Sequence, residues 1–180
     1  MKNREILIGV TGGIAAYKTA SLVSKLVQAD AKVSVVMTRS ARKFVGTATF
    51  SALTGRPVNT RAFSDDAHPL GAHIELAEQA ELLCVAPATA NFLAKAATGM
   101  AEDLLSTLYL SCNCPILLAP AMNSAMWEKS AVQRNIRQLS EDGVDVVLPT
   151  EGWLSCRQTG VGRMAEAEVL FAEIQRRFDN

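Results

Sequence analysis

Five short apolar runs constrain the fold of this chain more than any other feature. They are continuous rather than alternating, apart from Ser34 and Asp145, and they are rich in Val, Ile and Leu. Runs of this kind are typical of strands that are buried on both faces of a parallel sheet. The runs lie at residues 6–10, 33–37, 82–86, 116–119 and 144–148.

Helical patterns lie between and after these runs. Apolar residues recur at helical spacing in residues 14–28, 131–141 and 167–178, which predicts amphipathic helices. The sequence therefore predicts an α/β fold, with a single doubly wound, mostly parallel sheet of the Rossmann or flavodoxin-like type and helices on both faces. No repeat or low-complexity linker interrupts the pattern, so residues 1–180 are predicted to form one domain.

Charge and cysteine content exclude several classes of protein. The chain has 18 basic and 18 acidic residues, and this balance gives no attraction to nucleic acid or to an anionic membrane. No apolar run approaches the length of a membrane-spanning helix, and the N-terminus lacks the apolar core of a signal peptide. Four cysteines show no zinc-binding spacing and nothing indicates export, which favours reduced thiols, no metal and a cytoplasmic protein.

The residues that follow each strand are candidates for a ligand site, because doubly wound sheets bind ligands beyond the carboxyl ends of their strands. These residues lie at 11–13, 38–40, 87–91 and 120–123, and we expect them to meet at one edge of the sheet. The longest irregular stretches are residues 60–72 and 150–164. We expect lids or binding loops there, since compact domains rarely contain such long loops otherwise.

Gly12 and Gly13 follow the first strand and open a helix. Glycines let a ligand approach the backbone and a helix N-terminus attracts phosphate, but a plain strand-to-helix turn explains the same residues equally well. The segment does not match G-x-G-x-x-G, and no acidic residue ends the second strand, where dinucleotide folds bind ribose. A mononucleotide therefore fits better than NAD, and Thr38 and Ser40 would add hydroxyl donors at the same edge.

Five further side chains are candidates for binding or chemistry. His73, which we expect just before a strand, could accept a proton, although a single His is more often structural. Asn123 follows the fourth strand, where its amide could bind a carboxylate. Cys156 lies in a Gly-punctuated loop and could donate a proton if the loop closes over a ligand. Thr89 and Asn91 either cap the following helix or hold a phosphate or flavin.

Motifs across nearly the whole chain resemble those of one family. They are Gly-Val-Thr-Gly-Gly-Ile-Ala-Ala-Tyr-Lys from Gly9, His-Ile-Glu-Leu from His73, Ala-Pro-Ala-Thr-Ala-Asn to Asn91, Pro-Ala-Met-Asn-Ser-Ala-Met-Trp to Trp127, and the cysteine loop that ends in Gly-Arg-Met at Met164. The Pro-x-Met-Asn-x-x-Met-Trp pattern is highly specific. In this order and at these separations, the motifs resemble those of the homo-oligomeric flavin-containing cysteine decarboxylases.

The resemblance implies a site for FMN and a small-molecule substrate. It implies that His73 is the base near the flavin, that Asn123 holds the substrate carboxylate and that Cys156 donates a proton. Met126 and Arg163 would also contact the substrate. The residues assigned to FMN are Gly12, Gly13, Thr38, Ser40, Thr89, Ala90, Asn91 and Ala121. The family assembles as homotrimers, or as dodecamers of trimers, with FMN between subunits.

The activity that the resemblance implies is decarboxylation of the cysteine moiety of 4'-phosphopantothenoylcysteine to 4'-phosphopantetheine, in coenzyme A biosynthesis. The cysteine side chain is oxidised by the flavin to a thioaldehyde, CO2 leaves, and the ene-thiol is reduced again. One alternative is oxidative decarboxylation of the C-terminal Cys of a peptide, for which no reducing Cys156 is needed. Another is a non-catalytic flavoprotein that acts as a regulatory subunit.

Two features separate this chain from some relatives. Some relatives carry a basic residue shortly after His-Ile-Glu-Leu, where this chain has Ala77, Glu78 and Gln79. Arg157 and Arg163 could compensate for the lost cation. Many bacterial relatives fuse this unit to a ligase. Because this chain ends after one helix, we expect either a stand-alone enzyme or part of a longer protein.

Overall fold

A five-stranded parallel sheet forms the centre of the molecule in the computed structural model, which describes residues 1–62 and 71–179. The strand order is β2-β1-β3-β4-β5, and all four neighbouring pairs are parallel. This is the flavodoxin-like order, in which the chain reverses direction across the sheet between β1 and β3. The strands are β1 (Glu5–Val10), β2 (Lys32–Met37), β3 (Leu82–Ala88), β4 (Ile116–Pro120) and β5 (Asp145–Val146).

Helices cover both faces of the sheet. One face packs against α1, α2 and α8, and the other packs against α3, α4, α5 and α7. The helices of the described ranges are α1 (Ala16–Gln28), α2 (Thr47–Thr54), α3 (Ala72–Gln79), α4 (Ala90–Thr98), α5 (Leu104–Ser111), α6 (Ser124–Trp127), α7 (Ser130–Glu141) and α8 (Ala167–Asp179), with a short 3-10 helix at Ala41–Lys43.

Residues of one strand alternate between the two cores. In β1, Ile6 and Ile8 point into the core beneath α1, whereas Leu7 points into the core beneath α5. All three side chains are buried. Both faces of the strand therefore need apolar residues, which explains the continuous runs in the sequence and confirms the predicted doubly wound α/β fold.

The segment 150–164, expected to be an irregular loop, instead forms an antiparallel hairpin. Its strands are β6 (Thr150–Trp153) and β7 (Thr159–Arg163), and the Leu154 N–H donates to the Gln158 carbonyl across the turn at 2.8 Å. Most of its residues are exposed, so neither strand has the apolar run that marks the central sheet. The expectation of a loop was wrong for that reason.

Two other expectations are changed by the structure. His73, expected to stand directly before a strand, lies in the first turn of α3, and that helix separates it from β3. The expected strand at 144–148 is reduced to the two residues of β5. The loop expected at residues 60–72 falls largely outside the described residues. Within the described ranges, no helix is both long enough and apolar enough to cross a membrane.

Candidate functional site

A cleft of about 390 Å³ opens at the carboxyl edge of the sheet. Three of the four strand-end segments contribute to it, together with the hairpin, as the sequence predicts for this edge. The lining residues are Gly12, Gly13, Ile14, Ala15, Tyr17, Lys18, Thr89, Ala90, Ala121, Met122, Asn123, Met126, Trp153, Leu154, Ser155, Gly162, Arg163 and Met164.

A buried threonine joins the first strand end to the third. The Thr11 hydroxyl donates to the Pro87 carbonyl at 2.7 Å and accepts from the Thr89 N–H at 3.1 Å. The hydroxyl of Thr19, one helical turn into α1, donates to the Ala86 carbonyl at 2.6 Å. Buried polar groups that are satisfied in this way hold the two turns in one relative position.

The fourth strand-end segment lies against the edge of the cleft. A Cβ atom added at Gly12 would collide with the Ser40 side chain, so only glycine allows the two turns to pack together. The Thr38 hydroxyl accepts a hydrogen bond from the Ala41 N–H at 3.2 Å. Thr38 and Ser40 therefore flank the cleft but do not line it.

Two helix N-termini open on the cleft. No side chain caps the N-terminus of α1, and residues 12–15 before it line the cleft. The N-terminus of α4 is capped by Thr89, whose hydroxyl accepts from the Phe92 N–H at 3.4 Å, and Ala90 in its first turn also lines the cleft. The positive end of each helix dipole favours an anion such as a phosphate.

Exposed apolar side chains form the walls of the cleft. Ile14, Tyr17, Met126 and Trp153 are 54%, 60%, 44% and 66% exposed, although large apolar groups are usually buried. Tyr17 and Trp153 are not among the residues predicted for the site, in a chain of which only 6% is aromatic. Walls of this composition suit a flat aromatic ligand that would cover them.

Asn123 caps the short helix α6 with one end of its amide. Its Oδ1 accepts from the Met126 N–H at 2.8 Å. The amide nitrogen of Asn123 keeps two N–H donors for a ligand in the cleft that the residue lines. A carboxylate is a matching acceptor for those donors.

The hairpin lies directly on the segment that carries Asn123. The Met122 N–H donates to the Gly162 carbonyl at 3.0 Å. Gly162 has a φ of +146°, and a Cβ there would collide with the Met122 carbonyl oxygen. A Cβ at Gly160 would collide with the Ser124 hydroxyl, which is buried without a hydrogen-bond partner. Two glycines thus allow β7 to close one side of the cleft.

Lys18 and Arg163 are the charged side chains that line the cleft in the described part of the chain. Lys18 is buried, and its Nζ donates to the Met164 carbonyl at 3.1 Å and to Glu166 at 2.9 Å. Arg163 pairs with the same Glu166 carboxylate at 2.7 Å. Two cations therefore share one carboxylate, which leaves a surplus positive charge at the cleft.

Eight of the thirteen residues predicted for the site line this cleft, and five do not. The eight are Gly12, Gly13, Thr89, Ala90, Ala121, Asn123, Met126 and Arg163. Thr38 and Ser40 lie beside it, and Asn91 is exposed on α4. His73 is half-buried at the start of α3, and Cys156 is exposed at the hairpin turn. The cleft of one chain therefore brings neither His73 nor Cys156 to its wall.

Two other cysteines stand at the opposite end of β4. Cys112 ends α5, and Cys114 precedes the strand, both half-buried. A hydrogen bond from the Cys112 side chain lowers the pKa of Cys114 to about 7. Burial raises the pKa of Cys84, within β3, to about 12.

Among residues 1–62 and 71–179, no group of three His, Cys, Asp or Glu side chains could hold a metal ion.

Comparison with known sequences finds relatives over nearly the whole chain. The sequence pattern of the family described as "Flavoprotein" matches residues 1–179. The coenzyme A biosynthesis bifunctional protein CoaBC of Bacillus subtilis (strain 168) is 44% identical over 178 residues, which are 99% of this chain and 44% of that protein. The chain thus spans less than half the length of this curated relative.

Two solved structures share the fold. A PPC decarboxylase variant complexed with pantothenoylaminoethenethiol superposes with a TM-score of 0.88 at 26% identity, covering 99% of this chain and all of that one. The FMN-dependent cysteine decarboxylase SpaF superposes with a TM-score of 0.82 at 35% identity, covering 96% of both chains. The agreement confirms the predicted fold class.

Proposed function

The chain belongs to the Flavoprotein family, and from this membership we propose that its cleft binds FMN and decarboxylates the cysteine moiety of 4'-phosphopantothenoylcysteine. The matches to the Flavoprotein family and to solved cysteine decarboxylases confirm the resemblance to the flavin-containing cysteine decarboxylases. The substrate and the reaction proposed here are those that this resemblance implies. The product would be 4'-phosphopantetheine, an intermediate of coenzyme A biosynthesis.

One observation supports the proposal above the others. The cleft joins two helix N-termini, a set of exposed apolar walls and the amide of Asn123 in a single space at the strand ends. A phosphate, an aromatic ring system and a carboxylate each find a matching surface there. The combination suits a flavin mononucleotide with a carboxylic acid beside it.

The residues present fit FMN. The backbone N–H groups of Gly12 and Ala90, at the starts of α1 and α4, would hold its phosphate. Gly13, which lacks a side chain, would let the phosphate approach closely, and Ser40 would add a hydroxyl from the flank. Ile14 and Tyr17 would pack against the ring system. When bound, FMN supplies a reversible acceptor for the two electrons of the substrate thiol-bearing carbon, which makes loss of CO2 possible.

The chain supplies binding groups and protons. Asn123 would hold the substrate carboxylate through its free amide donors, with Met126 and Arg163 also at the substrate. His73 would accept the proton of the substrate as the base. Cys156, at the hairpin turn, would donate a proton as the product is completed. The hairpin excludes water from the side of the cleft that β7 covers.

A homotrimer, or a dodecamer of trimers, would complete the site. His73 lies outside the cleft of its own chain, so a base must reach the ligand from a neighbouring subunit or through a rearrangement. FMN bound between subunits satisfies this requirement. Residues 1–180 would act as one FMN-binding domain in the cytoplasm, with a small-molecule substrate and without nucleic acid or membrane.

The name of one related structure favours a pantothenoyl substrate. That protein, a PPC decarboxylase variant, is complexed with pantothenoylaminoethenethiol, whose name describes an ene-thiol joined to a pantothenoyl group. Coenzyme A biosynthesis is also the process named for the relative from Bacillus subtilis. Both point to the same substrate class for this chain.

A peptide with a C-terminal Cys is the second candidate substrate. The observation that favours it is the likeness to a solved structure named peptidyl-cysteine decarboxylase EPID, which superposes with a TM-score of 0.80 at 25% identity. A peptide enzyme would stop after oxidation and CO2 loss, so it would leave an ene-thiol.

Mass spectrometry of the products separates the two candidates. The purified holoprotein is incubated with 4'-phosphopantothenoylcysteine and, separately, with a Cys-terminated peptide. Loss of the mass of CO2 alone from the first substrate would support the proposal. Loss of CO2 and two hydrogens from the peptide, with the first substrate unchanged, would replace it by the peptide activity. If neither substrate is changed by a flavin-loaded protein, the decarboxylase proposal is rejected.

A further inference from the structure

We propose that Glu166 is a positioning residue, which orients the Arg163 guanidinium to bind the carboxylate of the substrate. The inference rests on the proposed function for the identity of that substrate. Glu166 itself does not line the cleft, and no motif of the sequence marks it. It acts through Arg163, which does line the cleft.

One oxygen of Glu166 is shared between two cations. Its Oε1 lies 2.9 Å from the Lys18 Nζ and 2.7 Å from the Arg163 Nη2. The Lys18 side chain is 8% exposed, whereas the Arg163 side chain is 42% exposed. The carboxylate therefore connects a cation held inside the protein to a cation that faces the cleft.

The buried lysine fixes the carboxylate. Lys18 also donates to the Met164 carbonyl at 3.1 Å, so helix α1 is tied to the backbone just after the hairpin. An exposed Arg–Glu pair by itself contributes little, because water competes for both charges. Removal of the partner of a buried ammonium group is costly, so Glu166 is held in place more firmly than its exposure suggests.

Gly152 fixes the other side of Arg163. A Cβ added at Gly152 would lie 3.1 Å from the Arg163 Cδ and 3.2 Å from its Nη1. The guanidinium therefore lies over the bare backbone of β6 on one side and meets Glu166 on the other. A guanidinium carries five N–H donors in a planar fork, so donors remain for a second acceptor in the cleft.

The charge balance identifies the second acceptor as an anion. Lys18 and Arg163 contribute two positive charges, and Glu166 contributes one negative charge. The free edge of an arginine fork matches a carboxylate in shape and charge. Arg163 also follows Gly162, which bonds to Met122 beside Asn123, so the two proposed carboxylate ligands stand on adjacent segments.

The chain offers a matched control pair. Lys25 and Glu168 form an ion pair at 3.0 Å that also joins α1 to α8, but both side chains are exposed and neither lines the cleft. Glu168→Gln removes a carboxylate from the same interface without touching Arg163. It separates an effect on ligand recognition from a general effect on the packing of these helices.

The test compares two unreactive ligands on the flavin-loaded protein. 4'-Phosphopantothenoylserine lacks the thiol, and its ethanolamine counterpart also lacks the carboxylate. Binding of each is measured by calorimetry. We expect the wild type to prefer the carboxylate ligand by about tenfold or more, which corresponds to about 1.4 kcal/mol. Glu166→Gln is expected to lose most of that preference while its affinity for the counterpart stays within about twofold.

Three further variants test whether Glu166 acts through Arg163. Glu168→Gln should retain the wild-type preference, and Arg163→Met should lose it even if Glu166→Gln folds poorly. The double variant of Glu166 and Arg163 should be no worse than Arg163→Met alone, because the two residues act as a unit. Additive effects, or an unchanged preference in Glu166→Gln, would overturn the inference. If neither ligand binds the wild type, the proposed function and the inference fail together. Equal binding of both ligands to the wild type rejects the inference together with the carboxylate role of Asn123, whereas the decarboxylation itself is decided by the product assay.

Discussion

Single glycine positions determine how closely the walls of the cleft approach one another. Gly12 allows the first turn to meet Ser40, and Gly162 allows the hairpin to meet Met122. In both places one added carbon would overlap an atom that is fixed by backbone geometry. The shape of the cleft therefore depends on the lack of a side chain at these two glycines. A search for functional side chains alone would overlook them.

Gly162→Ala should displace the hairpin. The new Cβ would collide with the Met122 carbonyl oxygen, and the φ of +146° is unfavourable for alanine. We expect a cost of about 1–3 kcal/mol in hairpin docking, typical of an overpacked site, and weaker substrate binding with little loss of global stability. Hydrogen exchange of residues 150–163 measures the loss of hairpin docking. Gly46→Ala, where a Cβ meets nothing within 4 Å, serves as the control.

Cys156→Ser should separate CO2 release from completion of the product. The thiol is exposed at the hairpin turn, so its replacement by a hydroxyl leaves the fold intact. Under the proposed mechanism we expect CO2 release to continue while an oxidised ene-thiol product accumulates. Product mass spectrometry checks this outcome. Saturated product formed at the wild-type rate would remove Cys156 from the mechanism.

His73→Asn should stop the reaction and leave the flavin bound. None of the phosphate or ring contacts proposed for FMN is made by His73, so FMN should stay bound without its imidazole. We expect a yellow protein that releases no CO2, a decrease of at least about 100-fold for a lost general base. Flavin absorbance and CO2 release are measured together, and normal turnover would contradict the assignment.

Sequence reasoning reaches some residues of the site and misses others for a physical reason. The rule that ligands bind after parallel strands identifies Gly12, Thr89 and Asn123, which all line the cleft. Lys18 and Glu166 escape it. Lys18 lies one turn inside a helix and Glu166 follows the hairpin, so their shared ion pair depends on a contact across 148 positions of sequence.

At the scale of elements, α5 begins with a complete capping box. The Asp103 carboxylate accepts from the Ser106 N–H at 2.9 Å, and the Ser106 hydroxyl accepts from the Asp103 N–H at 3.1 Å. Lys95 of α4 bonds the same carboxylate at 2.8 Å. Burial would raise the pKa of Asp103, but Lys95 and Ser106 outweigh it and the pKa is lowered. The charged form therefore stabilises the start of α5.

Asp103→Ala should cost about 1 kcal/mol of unfolding free energy at neutral pH, as for other lost N-caps. Because the folded pKa is depressed, this contribution is present above the pKa of the unfolded state and is lost as pH falls through the folded value. The difference in unfolding free energy between the wild type and Asp103→Ala should therefore become smaller at acidic pH. Urea titrations at neutral and acidic pH measure it, with Asp179→Ala as an exposed control. If this difference in unfolding free energy does not change with pH, the charge of the Asp103 carboxylate does not contribute to stability as predicted.

Elements differ in how well the sequence predicts them. Strands β1 to β4 are predicted to within two residues, because burial on both faces requires a run that is almost entirely apolar. β6 and β7 are exposed and contain three glycines, so composition indicates a loop where backbone pairing makes a hairpin. A strand that is stabilised by packing against a neighbouring segment, rather than by burial of its own side chains, has no characteristic apolar pattern in the sequence.

At the scale of the whole molecule, the alternation of strands and helices predicts the doubly wound sheet, which the structure confirms. The alternation does not determine which subunit supplies each part of the site. His73 lies outside the cleft of its own chain. A pattern within one sequence does not indicate which residues of a neighbouring subunit lie close to the cleft. The oligomer therefore stays a proposal that rests on the resemblance.

Removal of FMN should lower the melting temperature of the whole domain. The proposed contacts reach helices on both faces of the sheet and the hairpin, so the folded state alone can form them. At free FMN of about 100 times its Kd, the expected stabilisation is about 2.7 kcal/mol. Thermal melts of flavin-free protein with and without added FMN measure this. Identical melting temperatures at saturating FMN would contradict the proposed site.

The last strands of the chain close a site that its first residues begin. The turn at residues 12–15 is made early in synthesis, but the hairpin and the ion pair of Glu166 require the chain to be complete to residue 166. Because a domain generally folds as a unit, the flavin surface has all its walls only after residue 166 has been synthesised. A nascent chain shorter than this would leave one side of that surface open to water, so stable retention of the cofactor requires the hairpin and the segment up to residue 166.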